Sequence, residues 1–143
     1  MKLLHAWLIL IVLVTPAMAD GQPPSEDEAI RKTALDYIEG WYTGDAERMA
    51  RALHPDLAKR IVGLEGENVL HHMTAAQLIE GTGKGGGSRT PVERRRSDVR
   101  ILDVYEGNAS VRVDAADFVD YLHLARIDGR WLIINVLWAL RPE

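Results

Sequence analysis

Apolar residues recur at two different periods along this chain, and the change of period divides it. In the first half Ile30, Ala34, Tyr37, Ile38 and Trp41 fall at helical spacing on one face, as in an amphipathic helix. Ser25-Glu-Asp-Glu28 opens that helix as a capping box, in which each end residue satisfies an amide near the other. Gly44 stops it by accepting a left-handed backbone, and Asp45 caps a second, shorter helix through about Leu53. His54-Pro55-Asp56 then breaks the helix, because the residue before proline avoids α geometry. Residues 57–64 and 69–73 read as a short ribbon, and Thr74-Ala-Ala-Gln77 as a second capping box, opening a helix that carries Leu78 and Ile79. The glycine-rich stretch 81–87 follows a helix and precedes a strand. A phosphate-binding loop needs the opposite order, so the stretch reads as a flexible surface loop.

From Val92 onward the period is two. Residues 96–105 and 109–114 alternate about a turn at Gly107-Asn108, and 114–117 make the next corner. The last quarter, FVDYLHLARIDGRWLIINVLWALR, is two long strands joined at Asp128-Gly129, a turn whose two residues both take positive φ. Helices first and a four-stranded antiparallel meander after is an α+β order. The long strands carry Phe118, Tyr121, Trp131 and Trp138, and also Asp120 and His123. Those two polar groups suit a pocket between helices and sheet better than a dry core.

The N-terminus changes the picture of where the fold begins. Lys2, an apolar run over 3–14 and Ala17-Met18-Ala19 make a signal peptide of residues 1–19. A linker, 20–25, then precedes a single domain, 26–143. The expected location is periplasmic or secreted, with no membrane attachment after cleavage. With no cysteine, lipid attachment at a cysteine and disulfides are both excluded, so the core alone must hold the fold. The net charge of −4, one unit more negative without Lys2, argues against nucleic acid, which needs a basic footprint. The one basic run, Arg89 to Arg96, reads as a solvated strand edge.

Tyr37-Ile-Glu-Gly-Trp-Tyr-Thr-Gly44-Asp45, Leu53-His54-Pro55-Asp56, Asp120-Tyr121-Leu122-His123-Leu124 and Asp128-Gly129-Arg-Trp131 together resemble the nuclear transport factor 2-like superfamily. Within it the chain most resembles the branch called putative lumazine-binding. The resemblance implies a cone-shaped fold, with N-terminal helices packed on a curved antiparallel sheet enclosing a cavity, and a homodimer through the sheet. Ketosteroid isomerase, in the same superfamily, has a similar first helix, and its oxyanion-stabilising tyrosine falls on Tyr37. Its carboxylate base falls near Ile61, which cannot take a proton. Its second, protonated acid falls near Tyr121 or Leu122, with Asp120 one or two positions away.

Tyr37, Trp41 and Trp138 are expected to wall the pocket, each combining an apolar body with a polar tip except where packing hides it. On the penultimate strand Tyr121 and His123 share one face, while Phe118, Asp120, Leu122 and Leu124 share the other. Because branched residues favour a dry interface, Tyr121 and His123 are expected to face inward. His54, at the break after the second helix, is either a cavity contact or a histidine bonded to backbone beside Pro55. His71-His72 point apart on a strand, so no metal site is expected; a combination with His54 and His123 would be needed. No cofactor is expected. The expected function is therefore an exported domain that binds an unidentified small molecule through Tyr37, Trp41, His54, Tyr121, His123 and Trp138. The alternative is a proton-transfer enzyme (isomerase, dehydratase or cyclase) with His54 or His123 as base and Tyr37 as hydrogen-bond donor. A third reading is an interaction module that uses the outer face of the sheet.

Overall fold

The computed structural model describes residues 23–63 and 69–142. The expected signal peptide, the first part of the linker and Leu64 lie outside the described residues. Among those described, no helix is long and apolar enough to cross a membrane.

Helix α1 (Glu26–Thr43) starts at Ser25, whose hydroxyl accepts from the Glu28 amide while the Glu28 side chain accepts from the Ser25 amide. It ends at Gly44, left-handed at φ 71°. Helix α2 (Ala46–Ala52) is capped by Asp45, and strand β1 (Leu53–Val62) follows directly. Strand β2 (Leu70–Thr74) pairs antiparallel with β1, and Thr74 caps α3 (Ala75–Gly83) as a capping box with Gln77. Strands β3 (Asp98–Tyr105), β4 (Asn108–Asp114), β5 (Phe118–Ile127) and β6 (Arg130–Leu140) complete the chain.

The sheet has six strands in the order β2-β1-β6-β5-β4-β3. The expected antiparallel meander is present as β3 to β6. The junction of β1 with β6 is parallel, which makes the sheet mixed. Its register shifts between Leu53 and Ala58, around Pro55. Proline has no amide to give a ladder, so it belongs at such an irregularity. The β5–β6 turn has Asp128 and Gly129 at φ 49° and 77°, the positive pair expected there. The β3–β4 turn is Glu106-Gly107, one residue earlier than expected.

One face of α1 buries Ile30, Ala34, Tyr37 and Ile38 against inward residues of β4, β5 and β6, including Val111, Leu122 and Ile133. Thr33 on α1 donates to the Trp131 carbonyl at 3.1 Å, and Tyr42 accepts from the Ala116 amide at 2.8 Å. These bonds fix the helix across the sheet near its middle and at its C-terminal end.

Two stretches differ from the sequence expectation. Residues 92–94 form a 3-10 turn and not strand, and the basic run around it holds loops together. Arg94 pairs with Asp117, Arg95 donates to the Thr90 and Ser88 carbonyls, and Arg96 pairs with Asp98. The glycine stretch is not a free surface loop. It begins within the last turn of α3, and Gly86 and Gly87 then pack under the indole of Trp41.

The chain's C-terminal end is tied back to the β4–β5 corner. Asp114 accepts from Arg112 at 2.7 and 2.8 Å and from Arg141 at 2.6 Å. Those bonds, Arg112's first, hold its carboxyl down at about 2. A carboxylate that binds its proton more weakly when folded stabilises the fold above its unfolded pKa. That contribution is lost as pH falls from about 4 through about 2. Arg141→Ala is therefore expected to destabilise the protein near neutral pH, with the gap from wild type closing toward about pH 2. Thermal unfolding followed by circular dichroism across that range checks it; a gap independent of pH would refute the ionic origin.

Candidate functional site

Strand β1 alternates with Leu57, Lys59 and Ile61 on its inward face and Ala58 and Arg60 outward. Lysine therefore occupies a beat that the neighbouring residues make apolar. Strand β5 places Asp120, Leu122 and Leu124 inward, and Tyr121 and His123 outward. The two polar side chains lean over β6 from opposite sides, since β6 lies between β1 and β5. Tyr37 reaches down from α1 to meet them.

The three groups close a triangle. Lys59 Nζ donates to Tyr37 Oη at 2.7 Å and to Asp120 Oδ1 at 2.8 Å. Tyr37 Oη donates to Asp120 Oδ2 at 2.6 Å. Asp120 is wholly buried, and the Lys59 side chain is 8 % exposed. The ammonium also sits over aromatic faces, 4.7 Å from the Trp138 ring centre, 5.4 Å from Tyr37 and 5.5 Å from Phe118. Attraction to ring faces offsets part of the cost of taking a cation out of water.

Burial acts on the two proton-bearing groups in opposite senses. It lowers the pKa of Lys59, by more than the charge and hydrogen bond of Asp120 raise it. It raises the Tyr37 phenol well above its ordinary value, and the Asp120 charge pushes the same way. Both shifts favour neutral forms, as expected where water is excluded. A lysine perturbed by desolvation, with a specific charge partner and in a cleft, is a candidate for chemistry.

The cleft is a pocket of about 310 Å³ at the end of the cone bounded by α3 and the glycine loop. Lys59 and Tyr37 form its polar floor, and Trp41, Phe118 and Trp138 stand around it. Phe118 and Trp138 meet edge to face, with ring centres 5.9 Å apart. Met49, Met73, Leu78 and Leu140 add apolar wall, and Thr90 and Asp117 are further polar residues in the lining. Methionines give such a wall the ability to repack around different shapes.

Of the six residues expected to contact a ligand, the structure brings Tyr37, Trp41 and Trp138 to this pocket. The other three are elsewhere. Tyr121 is exposed on the outer sheet face, with Arg112 stacked 5.8 Å from its ring. His123 is on the same outer face, its Nδ1 3.2 Å from Asn135 Nδ2. The inward assignment of Tyr121 and His123 was wrong because the branched face of β5 packs against α1, and carries Asp120 in with it. His54 takes the plainer of its two readings: its Nδ1 accepts from the Asp56 amide at 3.1 Å in the irregular start of β1. A proton-transfer scheme with His54 or His123 as base therefore has no geometry to support it.

Sequence reasoning missed Lys59 altogether. The signal was available, because Lys59 sits in phase between Leu57 and Ile61. Among the described residues no cluster of metal-ligating side chains forms. His72 is exposed, while the Nε2 of His71 is buried with no hydrogen-bond partner among the described residues.

Solved structures with this fold include an NTF2-like protein of unknown function from Shewanella baltica. It is 21 % identical over 82 % of this chain and 95 % of its own, with a TM-score of 0.66. An NTF2-like protein of unknown function from Methylobacillus flagellatus is also 21 % identical, over 85 % and 97 %, with a TM-score of 0.65. Among curated proteins, the aldolase FrzH of a Cladobotryum species is 23 % identical over 141 residues, covering 88 % of this chain and all of that protein. The two solved structures share the fold of this chain; residues 25–139 match the family described as "Putative lumazine-binding", and the chain belongs to that family.

Proposed function

We propose that the protein is an exported small-molecule-binding domain whose ligand occupies the pocket between Trp41, Phe118 and Trp138. The observation that carries this reading is the pairing of aromatic walls with a single polar floor, Lys59 and Tyr37 backed by Asp120. Small-molecule sites are commonly apolar concavities with a few convergent polar groups that fix orientation. A flat, mostly apolar ligand suits these walls, and an acceptor such as a carbonyl oxygen suits the floor. Lys59 spends two of its three N–H groups on Tyr37 and Asp120, which leaves one for a ligand. Membership of a family described by lumazine binding supports the same class of ligand.

Native mass spectrometry of the protein, purified gently from its host, tests for a retained ligand. Fluorescence titration with lumazine, a flat heterocycle carrying two carbonyls, provides a defined probe. Trp138→Ala is expected to weaken binding about tenfold through loss of an aromatic wall, whereas Tyr121→Ala on the outer face leaves it unchanged. Equal effects of the two substitutions would remove the pocket from consideration.

A second reading, a proton-transfer enzyme, is favoured by one observation. The role expected of histidine is available to Lys59, whose proton affinity is lowered beside a hydroxyl donor and a carboxylate. The distant relation to a protein named an aldolase points the same way.

A further inference from the structure

Among the described lysines, Lys59 alone is buried and faces a pocket. The side chains of Lys32 and Lys84 are 72 % and 73 % exposed, each paired with a carboxylate one helical turn away. We propose that the pocket takes small aromatic aldehydes or ketones and that Lys59 Nζ captures them as a Schiff base. The inference rests on the reading of this pocket as the ligand site and adds a covalent bond to it.

The triangle supplies each proton movement the reaction needs. The ammonium of Lys59 passes a proton to Asp120, leaving a lone pair on Nζ 2.8 Å from that carboxylate. The lone pair attacks the carbonyl carbon, a C–N bond forms, and the carbonyl oxygen is protonated to the carbinolamine hydroxyl. Tyr37, within 2.7 Å of Nζ, is placed to donate to that oxygen and to recover its proton from the attacking nitrogen, so that the carbinolamine is neutral and Nζ keeps a lone pair. Asp120 then returns its proton, the C–O bond breaks, water leaves, and the iminium remains on Nζ. The sum is ammonium plus carbonyl giving iminium plus water, with no oxidant or reductant consumed.

Physical chemistry favours this amine over the surface ones. In an apolar pocket a charged lysine–aspartate pair loses its advantage over the neutral pair, because desolvation penalises both ions. Burial lowers the Lys59 pKa, and each unit of lowering raises an amine's reactive neutral fraction about tenfold near pH 7. The titratable groups facing Nζ are Tyr37 from α1 and Asp120 from β5. Asp117 also lines the pocket, and His71 lies on β2 two residues before Met73. The Trp138 and Phe118 rings would flank an aromatic carbonyl bound at the floor. Activated lysines in hydrophobic surroundings are nucleophiles toward carbonyls generally.

The test is competitive labelling of the intact protein with benzaldehyde and cyanoborohydride, which reduces an iminium to a stable benzylamine. Peptide mapping by mass spectrometry then reports each lysine. At about pH 7 Lys59 is expected to be labelled about tenfold or more faster than Lys32 and Lys84. The ratio should shrink toward pH 9, where an ordinary surface amine gains about a hundredfold in neutral fraction. Tryptophan fluorescence with benzaldehyde alone measures non-covalent occupancy in parallel. Quenching without preferential Lys59 labelling would overturn the Schiff base and leave the ligand pocket standing. Neither quenching nor Lys59 labelling would overturn both. Benzyl alcohol, which fills the same space without a carbonyl, should protect Lys59 selectively; failure to protect would place the reaction in locally unfolded chains and overturn the inference.

Discussion

Asp120→Ala is expected to destabilise the protein by about 3–5 kcal/mol, the usual cost of stranding one half of a buried ion pair. Asp120 is wholly buried and accepts from both Lys59 and Tyr37. Its removal leaves an ammonium and a phenol in an apolar pocket, bonded to each other and, among the described residues, to no other hydrogen-bond partner. The ammonium must then lose its proton, pull in water or be expelled with its strand. Lys59→Met with Asp120→Leu removes both charges and keeps the side-chain branching at 120, and a double replacement by apolar residues of similar shape is often neutral or stabilising. Urea unfolding of the three proteins decides the matter. If Asp120→Ala costs less than about 1 kcal/mol, the pair is not a buried ionic one. A double variant as weak as Asp120→Ala would mean that shape, and not charge, is what the site requires. The same comparison separates stability from function. A double variant that folds well and no longer takes ligand would place the triangle in the fold for its chemistry.

The parts of the fold that could be read from sequence are those settled within a few residues. The Ser25–Glu28 and Thr74–Gln77 boxes, left-handed Gly44 and the Asp128-Gly129 turn are all local, and each stands where its residue types put it. The site is different, because it depends on pairings far apart in the chain. Lys59 and Asp120 meet across β6 only because β1 joins that strand in parallel, a connection no short motif announces. Alternation divides β5 into two faces correctly but does not say which is inside. Tyr121 and His123 are taken as inward by default because branched residues favour a dry interface, which an outer face against a partner subunit also offers. Asp120 overrides that default, since its charge is met by a lysine hidden in another strand. A further obstacle lies in β6, where Trp131 and Ile133 face inward in one phase and Val136 and Trp138 in the other. The phase changes at the register shift between the β5–β6 pairs, as an extra residue in a strand requires. Strict period-two reading carried through that shift would turn Trp138 away from the pocket.

The glycine stretch shows the same limit from the side of flexibility. Glycines in sequence suggest mobility, yet here their missing side chains make room for one indole. A Cβ built on Gly87 would lie 2.3 Å from Trp41 Cδ1 and Nε1, and one on Gly86 would lie 2.3 Å from Cζ3. No real contact is that short, so either alanine must move the ring. The Gly87 amide also donates to the Trp41 carbonyl at 3.2 Å, which limits how far the loop can retreat. Gly87→Ala is therefore expected to cost about 1–3 kcal/mol by overpacking and to weaken ligand binding, because Trp41 is a pocket wall. Gly87→Ala made in a Trp41→Ala background loses its three nearest contacts, all on the indole, and there the penalty should largely vanish. A double-mutant cycle by urea unfolding should give a coupling of about 1–3 kcal/mol between the two positions. An equal loss in both backgrounds would assign the cost to the backbone of residue 87 and detach the loop from the pocket wall. Coupling of the expected size would make the loop part of the site, with the shape of the ligand space set by two glycines that have no chemistry of their own.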